Sequence, residues 1–147
     1  MVDLTGIDML VVGSVYIINA SNTNDVWTVE GNDIYLRPYE SNNRNQLFRA
    51  TLDGNNRYGL YSDATARRVN RNQSENVKCE KTYNIQGTWE CFVETRMEAP
   101  GRLKFFMLVG DEHRPLRKVS DNGGYHFTIK HAGSEVTFGL TNVSYLQ

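Results

Sequence analysis

The sequence predicts an all-β fold built from three similar four-stranded units, and three observations carry that expectation. The apolar runs are short and alternating, rich in β-branched and aromatic residues, with no sustained helical period. Clusters of Asn, Gly and Asp punctuate them as turns do. The pattern restarts at Val15, Arg57 and Arg102, an interval of roughly 42–45 residues that signals repeat architecture. The expected units are approximately 15–56, 57–101 and 102–147, all within a single domain spanning 1–147. A chain of 147 residues is long enough to bury a core without covalent staples.

The elements follow in order. The first unit reads as strands at Val15–Ile18, Val26–Val29, Ile34–Leu36 and Leu47–Leu52, with Gly31-Asn32-Asp33 as a tight hairpin turn. The second reads as Tyr58–Tyr61, Arg67–Val69, Val77–Cys79 and Trp89–Val93, with its hairpin turn at Asn72–Asn76. The third reads as Leu103–Val109, Leu116–Val119, Tyr125–Ile129 and Val136–Leu140, turning at Asp121–Gly124. Pro100 and Pro115 flank strands instead of interrupting them, as a residue without a backbone donor should.

The first and fourth strands of each unit are expected to form a closed barrel, with the middle pairs capping one end; closure removes exposed sheet edges. Alternation then sends Ile17, Phe48, Ala50, Leu52, Leu60, Trp89, Cys91, Val93, Leu103, Phe105, Met107, Val136, Phe138 and Leu140 inward. Burying each large apolar side chain is worth roughly 1.5–3 kcal/mol.

This rhythm resembles the β-trefoil superfamily over about residues 14–146. Val77–Glu80, Trp89–Val93 and the turn into Leu103-Lys104-Phe105 are similar in cadence to fascin and fibroblast-growth-factor repeats. Ricin-B-type lectins, another trefoil branch, carry Q-x-W in the fourth strand. Here Gln46-Leu47-Phe48 is the nearest match, with Gly87-Thr88-Trp89 and Ser134-Glu135-Val136 at the expected corresponding places. The resemblance implies a pseudo-threefold trefoil that binds a partner and is not an enzyme.

Composition narrows the partners. A net charge of −1 argues against broad electrostatic binding to nucleic acid, and no apolar run is long enough for membrane insertion. Two cysteines, Cys79 and Cys91, are too few for a disulfide framework and read as buried thiols, with a single disulfide as the alternative. Met9–Val12 is too short and too acidic in its flanks for a secretory leader, so a cytoplasmic location or export without a conventional signal is expected. The sequons at Asn19, Asn72 and Asn142 read as chance in an Asn-rich chain. His113, His126 and His131 lack ligand spacing, so neither a metal nor a cofactor is expected.

Candidate contacts lie in loops. Asp25, Asp63 and Asp111 recur near the first loop of the three units, where a carboxylate could accept sugar hydroxyls; equally, Asp is favoured in any turn. The first unit adds Trp27, Asn32, Tyr35 and Asn42, pairing aromatic faces with amides as sugar sites do, although Trp27 also suits a core. Arg67, Arg68 and Arg71 form a basic run that reads as a solvated hairpin, a sulfated-glycan contact or an inhibitory loop. The leading expectation is a lectin for glycans or glycoproteins, with a homodimer as one route to avidity. The alternatives are a proteinase inhibitor, whose partner is a protease, or a growth-factor- or fascin-like protein-binding module.

Overall fold

The structure, a computed structural model, describes residues 3–82, 86–92 and 94–146. The first unit supplies β1 (Val15–Ala20), β2 (Asp25–Glu30), β3 (Asp33–Pro38) and β4 (Phe48–Leu52). The second supplies β5 (Tyr58–Ser62), β6 (Arg67–Arg71), β7 (Val77–Lys81) and β8 (Glu94–Met97). The third supplies β9 (Leu103–Val109), β10 (Glu112–Pro115), β11 (Arg117–Asp121), β12 (Gly124–Thr128), β13 (Ser134–Glu135) and β14 (Phe138–Asn142). No helix among the described residues is long and apolar enough to cross a membrane.

Antiparallel pairing closes a ring. β1 pairs with β4 through Tyr16 and Phe48, β4 with β5 through Ala50 and Leu60, and an isolated bridge joins Tyr58 to Phe92. β8 continues to β9 through Thr95 and Phe105, β9 to β14 through Leu103 and Phe138, and β14 returns to β1 through Leu140 and Ile18. Three hairpins, β2–β3, β6–β7 and β11–β12, cap one end. They meet one another where Asp33 pairs with Lys78 and Asn76 with Thr128. The fold is a β-trefoil with pseudo-threefold symmetry.

The first cap hairpin turns at Gly31-Asn32, with Gly31 at φ +63°, a conformation that costs glycine nothing. In the third unit the expected strand over 116–119 is a bent pair. β10 pairs with barrel strand β9 and β11 with cap strand β12, and buried Leu116 between them donates its N–H to Phe105 O at 3.0 Å.

The core centres on Trp27, which is 0 % exposed. The rings of Phe48, Phe92, Phe105, Phe127 and Phe138 surround it with centroids 5.2–6.4 Å away. Each such pair adds about 0.5–1.5 kcal/mol beyond burial alone. Phe48, Phe92 and Phe138 are counterparts in the three units. Phe48 and Phe92 each follow a 3₁₀ turn, over Arg44–Gln46 and Thr88–Glu90, while Phe138 opens β14. The places corresponding to Gln46-Leu47-Phe48 are therefore Glu90-Cys91-Phe92 and Val136-Thr137-Phe138, two or three residues beyond the places expected from sequence.

That shift corrects the expected inner set. Phe48, Ala50, Leu60, Leu103, Phe105, Met107, Phe138 and Leu140 lie in the core, and Cys91 is buried. Trp89 is 37 % exposed instead, because Glu90 N–H bonds back to Gly87 O at 3.0 Å and makes a turn where a strand was expected. Leu52 sits at the barrel mouth, in the last β4–β5 pair, and is also exposed. Val136 is half-buried against the core, while Val93 lies outside the described residues. Ile17 is buried, but outward, in a satellite cluster with Val15, Val26 and Val143; Tyr16 and Ile18 face the barrel in its place.

An N-terminal strap runs beside β14. Asp8 N–H donates to Leu140 O at 2.8 Å, and Leu140 N–H donates to Gly6 O at 3.2 Å. A Cβ on Gly139 would stand 2.7 Å from Gly6 O, so the close approach of these two segments requires glycine there.

Candidate functional site

The seven residues expected to bind sugar do not converge. Asp25 opens β2 at the surface, its N–H donating to Thr23 Oγ1 at 3.2 Å. Asp111 is exposed beside Gly110, in the turn between β9 and β10. The Asp63 carboxylate is held by Arg49, with Nη2 at 2.6 Å and Nε at 3.2 Å from Oδ2. Trp27 lies at the centre of the core and offers no face to a ligand. Asn32, at the hairpin turn, accepts from the Arg67 guanidinium through Oδ1 and from Cys79 N–H through its carbonyl.

Tyr35 belongs to a different arrangement on the cap. Arg37 covers its ring with the guanidinium carbon 4.7 Å from the centroid, and Glu30 fixes Arg37 through bonds of 2.6 and 2.8 Å. The Tyr35 hydroxyl stands 3.4 Å from Asp121 Oδ2, and His126 meets the ring edge-on. Desolvation, with the Asp121 and Asp33 carboxylates, pushes the Tyr35 hydroxyl above the usual phenol range, so it remains a proton donor. Its ring is occupied by neighbours from two hairpins.

The basic run disperses as well. Arg67 reaches Gly31 O at 2.9 Å, Arg68 lies 5.7 Å over Tyr61, and Arg71 lies 4.2 Å over Trp89. Three guanidinium groups within five residues serve three separate contacts.

Asn42 alone of the expected set lines a cleft of about 290 Å³. Ile17 and Leu47 supply apolar walls from the satellite cluster, Tyr39 adds a half-buried ring, and Glu40, Asn43 and Arg44 join Asn42 as its polar groups. The loop is rigid for a local reason. Gln46 is 0 % exposed, and its Nε2 donates to Thr28 Oγ1 and Pro38 O at 3.1 Å each, while its Oε1 accepts Glu40 N–H at 3.0 Å. Tyr39 N–H is tied to Asn24 O at 2.9 Å, and Asn43 Oδ1 caps the 3₁₀ turn by accepting Asn45 N–H at 3.0 Å. Asn42 adopts φ +66°, which Asn tolerates better than most residues. Sequence reasoning missed Tyr39, Glu40, Asn43 and Arg44, although the run Tyr39–Arg44 carries an aromatic, a carboxylate, two amides and a guanidinium in six residues.

This cleft can present a ring and aliphatic carbons to an apolar face, a carboxylate and amide carbonyls to hydroxyl donors, and amide and guanidinium donors to hydroxyl oxygens. A second cavity of about 350 Å³ lies where the strap crosses the β1–β2 loop, beside Asn19, Asn22, Thr23 and Asn24. Among the described residues no aromatic or charged side chain lines it.

Both thiols are free and buried. Burial pushes Cys79 up to about 11 and raises Cys91 as well, so neither holds appreciable thiolate at neutral pH. Among the described residues no three His, Cys, Asp or Glu side chains are grouped to hold a metal.

Neither a protein-family model nor a curated protein sequence matches the chain. Solved structures do match its fold, which is that of the trefoil proteins. The chain is similar to a GlcNAcα1-4Gal-releasing endo-β-galactosidase from Clostridium perfringens, with a TM-score of 0.68 and 12 % identity, over 88 % of this chain and 32 % of that one. It is similar to a Polyporus squamosus lectin with a TM-score of 0.67 and 10 % identity, over 91 % of this chain and 50 % of the lectin. The designed threefold-symmetric protein ThreeFoil matches with a TM-score of 0.62 and 14 % identity, over 88 % of this chain and 99 % of the design. The chain thus spans about a third of the glycosidase and half of the lectin. At these identities the likeness concerns the fold.

Proposed function

We propose that this protein is a non-catalytic carbohydrate-binding module that holds a sugar of a glycan or glycoprotein in the Tyr39 cleft. The observation that carries the reading is the make-up of that cleft: a ring and two aliphatic side chains beside a carboxylate, two amides and a guanidinium, on a loop clamped by a buried glutamine. A sugar has both apolar and hydroxyl-bearing faces, and this arrangement matches both. Support from the fold is general: two of the structural neighbours are a lectin and an endo-β-galactosidase. A single shallow site gives weak binding, so repeated sites or a homodimer would supply avidity.

A glycan array with the intact protein, followed by titration of the best ligand, tests the reading. Tyr39→Ala and Glu40→Gln are each expected to weaken binding about tenfold or more, the equivalent of roughly 1.4 kcal/mol. Simultaneous Asp25→Ala, Asp63→Ala and Asp111→Ala substitutions test the loop carboxylates expected from sequence, and binding should survive them. An array clean against neutral and acidic glycans alike would sink the proposal.

A further inference from the structure

Arg71 closes β6 with 9 % of its surface exposed and, among the described residues, no counter-charge. Its Nε is buried without an acceptor, and among the described residues the guanidinium forms neither a hydrogen bond nor an ion pair. The carboxylates close to it in sequence are directed elsewhere. Glu75 pairs with Arg114 at 2.6 Å, Glu80 Oε1 accepts from Asn70 Nδ2 at 3.2 Å, and Glu90 Oε1 accepts Gly87 N–H at 3.1 Å. The contact Arg71 does make is with the face of Trp89, 4.2 Å from the centroid. A cation–π contact recovers part of the desolvation cost of a guanidinium but leaves its planar donor fork unsatisfied. Trp89 itself stands 37 % exposed beside it.

We infer that Arg71 and Trp89 form an anion-anchored sugar site in the second unit, separate from the Tyr39 cleft. The terminal guanidinium nitrogens pair with the carboxylate or sulfate of an acidic sugar, a geometry that Arg matches in bidentate fashion. The exposed part of the indole lies against the sugar ring. The choice of a sugar as the body of the ligand rests on the carbohydrate reading above; the demand for an anion rests on Arg71 alone.

Titration of the full chain with D-glucuronate, glucose 6-sulfate, glucose and sodium sulfate, followed by calorimetry and tryptophan fluorescence, tests the inference. Trp27 is sealed in the core, so a fluorescence response reports on Trp89. Glucuronate and glucose 6-sulfate are expected to bind, more weakly as sodium chloride rises, and at least tenfold more weakly to Arg71→Gln. The Arg71 Nε–H resonance of the unaltered protein should shift with both acidic sugars, a readout that does not depend on the variant folding. No shift with either probe overturns the site. Sulfate binding as tightly as glucose 6-sulfate overturns the sugar assignment. Tyr39→Ala separates the two proposals, because acidic-sugar binding at Arg71 should persist in it.

Discussion

Asp53 shows how one side chain can organise a connection between barrel strands. Its Oδ1 accepts the N–H groups of Asn55 and Arg57 at 2.9 and 2.8 Å, and its Oδ2 accepts Arg57 Nε at 2.8 Å. Desolvation would raise its pKa, but these donors outweigh it and hold the carboxyl at about 2. A carboxyl depressed on folding contributes stability above its unfolded value, near 3.8, and loses it as pH falls through the folded one. Stability should therefore decline between about pH 4 and 2, with about 2 kcal/mol traceable to this group. Urea titrations across that range should show the decline in the parent and a smaller one in Asp53→Asn. Trp27 poses the opposite case, a buried Nε1–H with no acceptor among the described residues. Trp27→Ala should cost about 3–5 kcal/mol for the cavity. Trp27→Phe should cost far less, since it also removes an unsatisfied donor. Equal losses in the two variants would show that the indole N–H carries no penalty.

At the level of elements, the two 3₁₀ turns decide where the fourth strand of a unit begins and what the preceding loop presents. The first holds the Tyr39–Arg44 loop through Gln46, whose amide serves Thr28, Pro38 and Glu40 at once. Gln46→Ala leaves these groups unpaired in a buried place and should cost roughly 2–3 kcal/mol. For a chain of this size that lowers the melting temperature by roughly 5–10 °C. Sugar binding in the cleft should weaken in the same variant, and an unchanged affinity would show that the loop does not depend on its clamp. The second turn rotates Trp89 to the surface, where Arg71 meets it.

Across the whole molecule, closure of the sheet ties every unit to both others, so the thiols should report global opening. Cys79 lies in the main core and Cys91 is equally inaccessible. Labelling by a thiol reagent at neutral pH should proceed at the rate of unfolding, with no fast phase for Cys79. A fast phase would mean that the cap hairpins open independently of the barrel.

The all-β class, the three hairpins, their turns and most of the barrel lining were legible in the chain, because alternation and turn chemistry act over a few residues. The loops that follow the first strands were legible as divergent too, since they share little beyond Asp25, Asp63 and Asp111. Tertiary structure decided the rest. β1 is buried along its whole length, with a satellite cluster outside and the barrel inside, so Val15–Ala20 offers no alternation from which to tell Ile17 from Tyr16 and Ile18. Three-residue turns shifted the phase that had placed Trp89 inward. The site is a matter of non-local meeting as well: β1 lends Ile17 to a cleft whose other walls come from 39–47, while β11 and β12 close around Tyr35. Local pattern specifies which residues turn and which pair. Packing across the pseudo-threefold axis specifies which remain available to a ligand.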